Sequence, residues 1–252
     1  MKWLRSMSNL VGLNPRVLLA LRFLPRYLSE ARRFRSAGGV IDEYFPVLGD
    51  YADSAGMAKG HYFYQDLLVA QKIFLRNPKR HVDIGSRVDG FVAHVASFRE
   101  IELFDIRPLK TGISNIHFRV QDLLDLPVEL HEYADSVSCL HALEHFGLGR
   151  YGDPIDPRGY ETGFNNLLAL SKPEGMLYVS VPVGCKRTAF NAHRIFSPFD
   201  LAGLSTGKAL LKGFSYIDDL GELHTGEDIP GLLSKCEKLD YGLGIYEFKK
   251  LS

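Results

Sequence analysis

The chain has 252 residues, enough for one sizeable core with an extension but crowded for two full domains. Thirty Lys and Arg against thirty Asp and Glu leave no overall field, which argues against bulk DNA or RNA as the partner. Apolar residues make up 46% and charged residues 24%, so disorder is excluded, and Cys139, Cys185 and Cys236 lack paired spacing and read as reduced thiols of a cytoplasmic protein.

Charge is uneven. Residues 1–40 hold eight Lys or Arg and a single acid, Glu30. Trp3, Leu4, Leu10, Val11, Val17, Leu18, Leu21, Phe23 and Leu24 recur at roughly helical spacing, while Arg16, Arg22 and Arg26 interrupt every apolar run. No run is long enough to cross a bilayer, and the interrupting arginines argue against a secretory signal. Two readings stay open: peripheral contact through residues 1–40 with an anionic inner membrane face or a partner, or a basic cap packed on the domain. The expected organisation is a basic helical extension over 1–60 and one domain over 61–252.

YFYQDLLVAQKIFLRN, 62–77, suits a helix stopped by Asn77 and Pro78. Apolar strand candidates follow in HVDIGS, EIELFDI, DSVSCLHAL and GMLYVSVPV, separated by segments of which some are helical. That alternation predicts an α/β fold, a doubly wound, mostly parallel Rossmann-like sheet. FSYIDDL and YGLGIYEFKKL read as a final strand pair that ends the sheet antiparallel, linked by the irregular stretch 221–240.

Ligands of such sheets bind at the carboxyl ends of the strands. In HVDIGSRVDG, Asp83 ends a strand and Gly85 allows close backbone approach, and Gly90 opens the predicted helix GFVAHVASF. Asp105 stands 22 residues after Asp83 at the end of a second strand, where a carboxylate accepts ribose hydroxyls. Asp122 in FRVQDLLDLP is placed to meet an adenine amino group, with Leu123 as an apolar wall. A GxGxxG phosphate turn is absent, which counts against a dinucleotide dehydrogenase.

Taken together, DIGS, FDI, VQDLLDLP and ADSVSCLHALEHF resemble the successive motifs of class I S-adenosylmethionine-dependent methyltransferases, and LLALSKPEGMLYVSVPVG resembles the strand segment that follows. More narrowly, HVDIGSRVDGF, DIRPL, LHALEHFGLGRYGDPID and FNAHRIFSP look like an uncharacterised methyltransferase-like family of bacteria and nematodes, over about Gly60 to Asp219. The resemblance implies S-adenosyl-L-methionine as cofactor. Arg87 and Asp89 replace two expected glycines, and the Arg87 guanidinium suits a bidentate contact with the methionine carboxylate, or else marks a loop reshaped against the cofactor.

Transfer to a hydroxyl needs a base near the end of the fourth strand, where His141, Glu144 and His145 lie. His145 is the expected base with Glu144 orienting it, against a simple turn-capping role. Arg150, Tyr151 and Asp153 in the glycine-rich loop, with Asn191, His193 and Arg194, are expected to meet a small-molecule or glycan-like acceptor. Asp153 and Asp156 with a nearby His offer a lesser alternative, one divalent cation. The competing function is a catalytically silent module that keeps the sheet and binds a membrane or protein partner.

Overall fold

In this computed structural model residues 19–56, 58–110 and 112–252 are described, so Trp3 through Leu18 of the apolar pattern lie outside the described residues. The chain divides between Met57 and Ala58 into two units. In the first, a 3₁₀ turn at Leu21–Phe23 leads into helix α1, Leu24–Ser36, with Pro25 in its first turn, where a missing N–H costs nothing.

The second unit opens with α2, His61–Arg76. Gly60 at φ +94° sets the approach to the helix, and Asn77 in the left-handed region closes it. Val69, Ala70 and Ile73, spaced 1, 3 and 4 apart, form its buried face. Strand β1, His81–Ile84, buries every side chain, with Val82 and Ile84 on one sheet face and His81 and Asp83 on the other. Gly90, at φ −123° and ψ −112°, breaks the helix expected from it: a wide turn at Val88–Val92 precedes the short α3, Ala93–Ala96. The cause is close packing, because a Cβ on Gly90 would stand 2.7 Å from Asp66 Oδ2.

Parallel strands β2 (Ile101–Asp105), β3 (Ile116–Val120), β4 (Ala134–Leu140) and β5 (Ser171–Val183) flank β1, with α4 (Gly159–Leu170) crossing between β4 and β5. Past β5 come a small hairpin, β6 (Arg187–Ala189) with β7 (His193–Ile195), and α5, Pro198–Leu204, begun by a capping box of Ser197 and Asp200. Strands β8 (Ala209–Ile217), β9 (Leu223–His224) and β10 (Gly242–Lys250) complete the order β3-β2-β1-β4-β5-β10-β8-β9, antiparallel from β10 onward. The sheet is therefore the expected doubly wound one with an antiparallel C-terminal end.

One stretch read as irregular is not. Ile229–Cys236 forms helix α6, with Asp228 accepting from the Gly231 N–H and Pro230 in the first turn. Leu232, Leu233 and Cys236 face the same core as Phe164, Leu167, Leu168 and Leu201 of α4 and α5, while α2 and α3 cover the opposite sheet face. Both faces being covered, the open edge for a ligand is the carboxyl end of the parallel strands.

Candidate active site

At the end of β1 the chain must turn sharply. Gly85 does so at φ +72°, and a Cβ added there would stand 3.2 Å from the Ala142 Cβ, so the floor of the site is as close as backbone allows. Asp83 holds this turn, accepting from the Ser86 N–H (3.0 Å), Ser86 Oγ (2.9 Å) and Ser138 Oγ (2.5 Å). His81 lies beneath it, its ring nitrogens 2.9 Å from Ser136 Oγ and 3.1 Å from Ser138 Oγ. Burial pushes the Asp83 carboxyl up to about 7, against the pull of the serine bonds, and pushes His81 down to about 3.

Beside Gly85 lies a narrow slot of about 60 Å³, with Ile84, Phe104, Leu123, Ala142 and Phe146 as apolar walls and Asp105 and Asp122 in its lining. Asp122 accepts from the Leu124 N–H at 2.8 Å. Asp105 is already engaged: Arg107 donates to it from Nε (3.0 Å), Nη2 (2.6 Å) and its backbone N–H (2.8 Å). The same guanidinium lies 4.5 Å from the centre of the Tyr151 ring. Apolar walls, a carboxylate at the strand end and a floor without a Cβ are what an adenosine would need, but at about 60 Å³ the slot must open, with Arg107 yielding the Asp105 oxygens, to take one.

A larger cavity of about 730 Å³, within the usual range for ligand sites, adjoins the slot, and Gly85, Arg107, His145 and Tyr151 line both. His141, at φ +56°, sits in a strained conformation for a residue with a Cβ, held by its N–H to the Ser180 carbonyl and hydroxyl (both 3.0 Å). Its Nδ1 is 2.5 Å from Glu144 Oε1, and its Nε2 is 3.4 Å from His61 Nδ1, contributed by the first turn of α2. Tyr62 stacks on His141, and Tyr241 stacks on His61. Glu144 is fully buried and its Oε2 has no hydrogen-bond partner. Burial pushes the Glu144 carboxyl up, but His141 and then His145 outweigh it and hold the group below its ordinary value. Burial, reinforced by His141, lowers His61 to about 4.

His145 is arranged differently. Its Nδ1 is 2.7 Å from the Ala192 carbonyl, which only accepts, so the proton sits on Nδ1 and the lone pair on Nε2. Burial lowers His145 from its ordinary value, while Glu144, whose Oε1 is 3.6 Å from Nε2, pulls the other way. Glu144 thus serves both imidazoles: it hydrogen-bonds His141 and stands as an ion-pair partner, without a hydrogen bond, beside His145 Nε2.

The other expected residues fall into two groups. Arg87, Arg150, Tyr151 and His193 line the larger cavity, Arg87 held by Asp89 through bonds of 3.0 and 2.7 Å and Arg150 donating to the Ala192 carbonyl at 2.8 Å. Arg194 is a correction: it is buried and donates to the carbonyls of Glu144, Phe146, Asp156 and Pro157, bracing the loop rather than facing an acceptor. Asn191 takes φ +62° in the exposed turn of the β6 and β7 hairpin and lines neither cavity. Asp153 lines the slot and accepts from the N–H groups of Gly147, Gly149 and Tyr151, and Asp156 accepts from that of Arg158, so both carboxylates act as turn formers in this loop. Among the described residues no group of three or more His, Cys, Asp or Glu is arranged to hold a metal. Sequence reasoning missed His61, Tyr62, Asp66, Arg107 and Tyr241, all of which line the larger cavity or touch its histidines. Only Arg107 carried a local signal, two residues beyond the strand-ending Asp105.

Residues 100–226, half of the chain, match the family model described as Caenorhabditis protein of unknown function, DUF268. No curated protein matches the chain. Among solved structures, the N-methyltransferase NodS from Bradyrhizobium japonicum, in complex with S-adenosyl-L-homocysteine, is similar over 77% of this chain and 89% of its own, at 12% identity and TM-score 0.53. The 1,6-didemethyltoxoflavin-N1-methyltransferase from Burkholderia thailandensis, with bound 1,6-didemethyltoxoflavin and S-adenosylhomocysteine, is similar over 94% of this chain and 88% of its own, at 16% identity and TM-score 0.51. The (4+2)-cyclase SpnF is similar over 74% and 80%, at 17% identity and TM-score 0.53. At such identities the likeness is one of fold, the class I methyltransferase fold. With half its length matched by the family model, the chain belongs to the DUF268 family.

Proposed function

We propose that this chain transfers a methyl group from S-adenosylmethionine to a hydroxyl oxygen of a small or glycan-like acceptor. The observation that carries the reading is His145, an imidazole with its tautomer fixed by the Ala192 carbonyl and its protonation disfavoured by burial, at the junction of a narrow apolar slot and a large polar cavity. Bound S-adenosylmethionine supplies an electrophilic methyl group. Asp105, once Arg107 has moved off it, accepts the ribose hydroxyls, and Ile84, Phe104, Leu123 and Phe146 flank the base. His145 takes the acceptor proton at Nε2, and the Glu144 carboxylate 3.6 Å away offsets the charge it gains. The Tyr151 ring, 4.5 Å from the Arg107 guanidinium, offers that group a place to stay when it leaves Asp105.

A second reading has its own support, since Asp105 and Arg87 are both satisfied internally by Arg107 and Asp89, as a silent module would have them. The shared fold of a cyclase is a reminder that the fold does not choose the chemistry. Calorimetric titration with S-adenosylmethionine and S-adenosylhomocysteine separates the two. Micromolar binding that weakens about a hundredfold in Asp105→Ala, the loss of two hydrogen bonds to a charged group, supports the enzyme. Absence of heat supports the silent module. A panel of hydroxylated acceptors and their amine counterparts then tests the oxygen, which falls if only amines are methylated.

A further inference from the structure

We infer that residues 19–36 form a docking element for an anionic phospholipid surface, an interaction independent of the methyl-transfer reading. Helix α1 fully buries none of its residues, although helices of its length ordinarily depend on burying an apolar face. Leu21, Leu24 and Leu28 are 51%, 37% and 42% exposed, and their spacing of three and four places them on one stripe. One turn beyond Leu28 the stripe continues into Arg32, whose aliphatic stem extends the apolar surface while its guanidinium group reaches outward.

The flank of Phe23, Tyr27 and Glu30, together with Arg35 on the stripe's own side, is engaged within the same unit. Phe23 packs with Tyr51 and Tyr27 with Tyr44, and Arg26 and Arg35 lie over the Tyr51 and Tyr44 rings. Glu30, the one acid of the helix, is bound by Arg26 at 2.8 Å and by the Tyr51 hydroxyl. Among the described residues Arg32 and Arg33 make no ion pair within 4 Å, and Arg33 acts on Glu30 only through its field. An exposed leucine stripe bordered by arginines, with its sole carboxylate neutralised, complements a surface that is apolar beneath and anionic at its headgroups. No helix among the described residues is long and apolar enough to cross a membrane, so the contact is one that lies on the surface.

The test is co-sedimentation of the full chain with vesicles of phosphatidylcholine alone and of phosphatidylcholine mixed with phosphatidylglycerol. The expected result is pelleting with the anionic vesicles only, weakened by salt. Near an anionic surface each charge contributes roughly fivefold in affinity, so the double variant Arg32→Glu, Arg33→Glu should lose on the order of a hundredfold or more. Leu21→Ser with Leu28→Ser should lose pelleting even at low salt, and because all four residues are exposed, unchanged melting temperatures will show that the variants fold. Equal pelleting with both vesicle types, or full pelleting of the double Arg variant, overturns the proposal. So does a dimer in sedimentation equilibrium that the leucine substitutions dissociate while the chain ignores vesicles, for then the stripe meets a second copy.

Discussion

Asp83 and Glu144 are both wholly buried carboxyl groups at the carboxyl edge of one sheet, the first behind the Gly85 turn beside the narrow slot and the second behind His141 and His145 of the larger cavity. Asp83 is pushed up to about 7, whereas Glu144 is held below its ordinary value. Desolvation is the largest influence on both, so the partners decide the outcome. Around Asp83 stand serine hydroxyls and a backbone N–H, which solvate a carboxylate without cancelling its charge. Around Glu144 stand two imidazoles that can carry the compensating proton. One carboxyl therefore shapes a loop, and the other keeps its charge beside two imidazoles, as the proposed base at His145 would require.

The largest expected effect sharpens that division of labour. His145→Gln should lower the rate of methyl transfer by about a hundredfold or more while S-adenosylhomocysteine binding, read by calorimetry, stays within a few fold. His145 must be neutral to act, so the rate should rise with pH through a value below the ordinary 6.5. Because Glu144 pulls that value up, Glu144→Gln should move the acid limb of the profile to still lower pH. An unmoved limb would break the assignment of Glu144 to His145's charge.

Next in size is a stability effect at Asp83. A folded value raised to about 7 means the folded chain keeps a proton that the unfolded chain has released, so this group's contribution falls as pH rises from about 4 to about 7. His81 and His61, lowered to about 3 and about 4, act in the opposite sense and favour the fold as pH rises toward 6.5. Asp83→Asn should therefore make the unfolding free energy climb more steeply across that window, by a few kcal/mol at most, read by melting at successive pH values. Parallel melting curves for the two proteins would show that Asp83 is not proton-bound in the fold.

The smallest effect belongs to the slot's other carboxylate. Arg107→Gln removes the guanidinium that competes for Asp105, and S-adenosylhomocysteine should bind several-fold more tightly by calorimetry. Weaker binding would mean that Arg107 contributes to the ligand's own contacts instead.

By itself the sequence determined the elements: the helix of residues 62–77, the turn after HVDI, the acid closing IELFD and the antiparallel strands near the C-terminus are written in local periodicity and turn chemistry. Short-range pattern failed where it was ambiguous. Gly231 within Ile229–Cys236 masked a helix, and Gly90 suggested a helix start where close packing on Asp66 imposes a kink. The partners of the functional side chains were decided only by tertiary structure. His61 and His141 lie 80 residues apart, and Arg194 reaches the Glu144 carbonyl across 50. Such meetings depend on the strand order that sets β1 beside β4 and on the loop that Arg194 braces, and spacing along a chain carries no record of either.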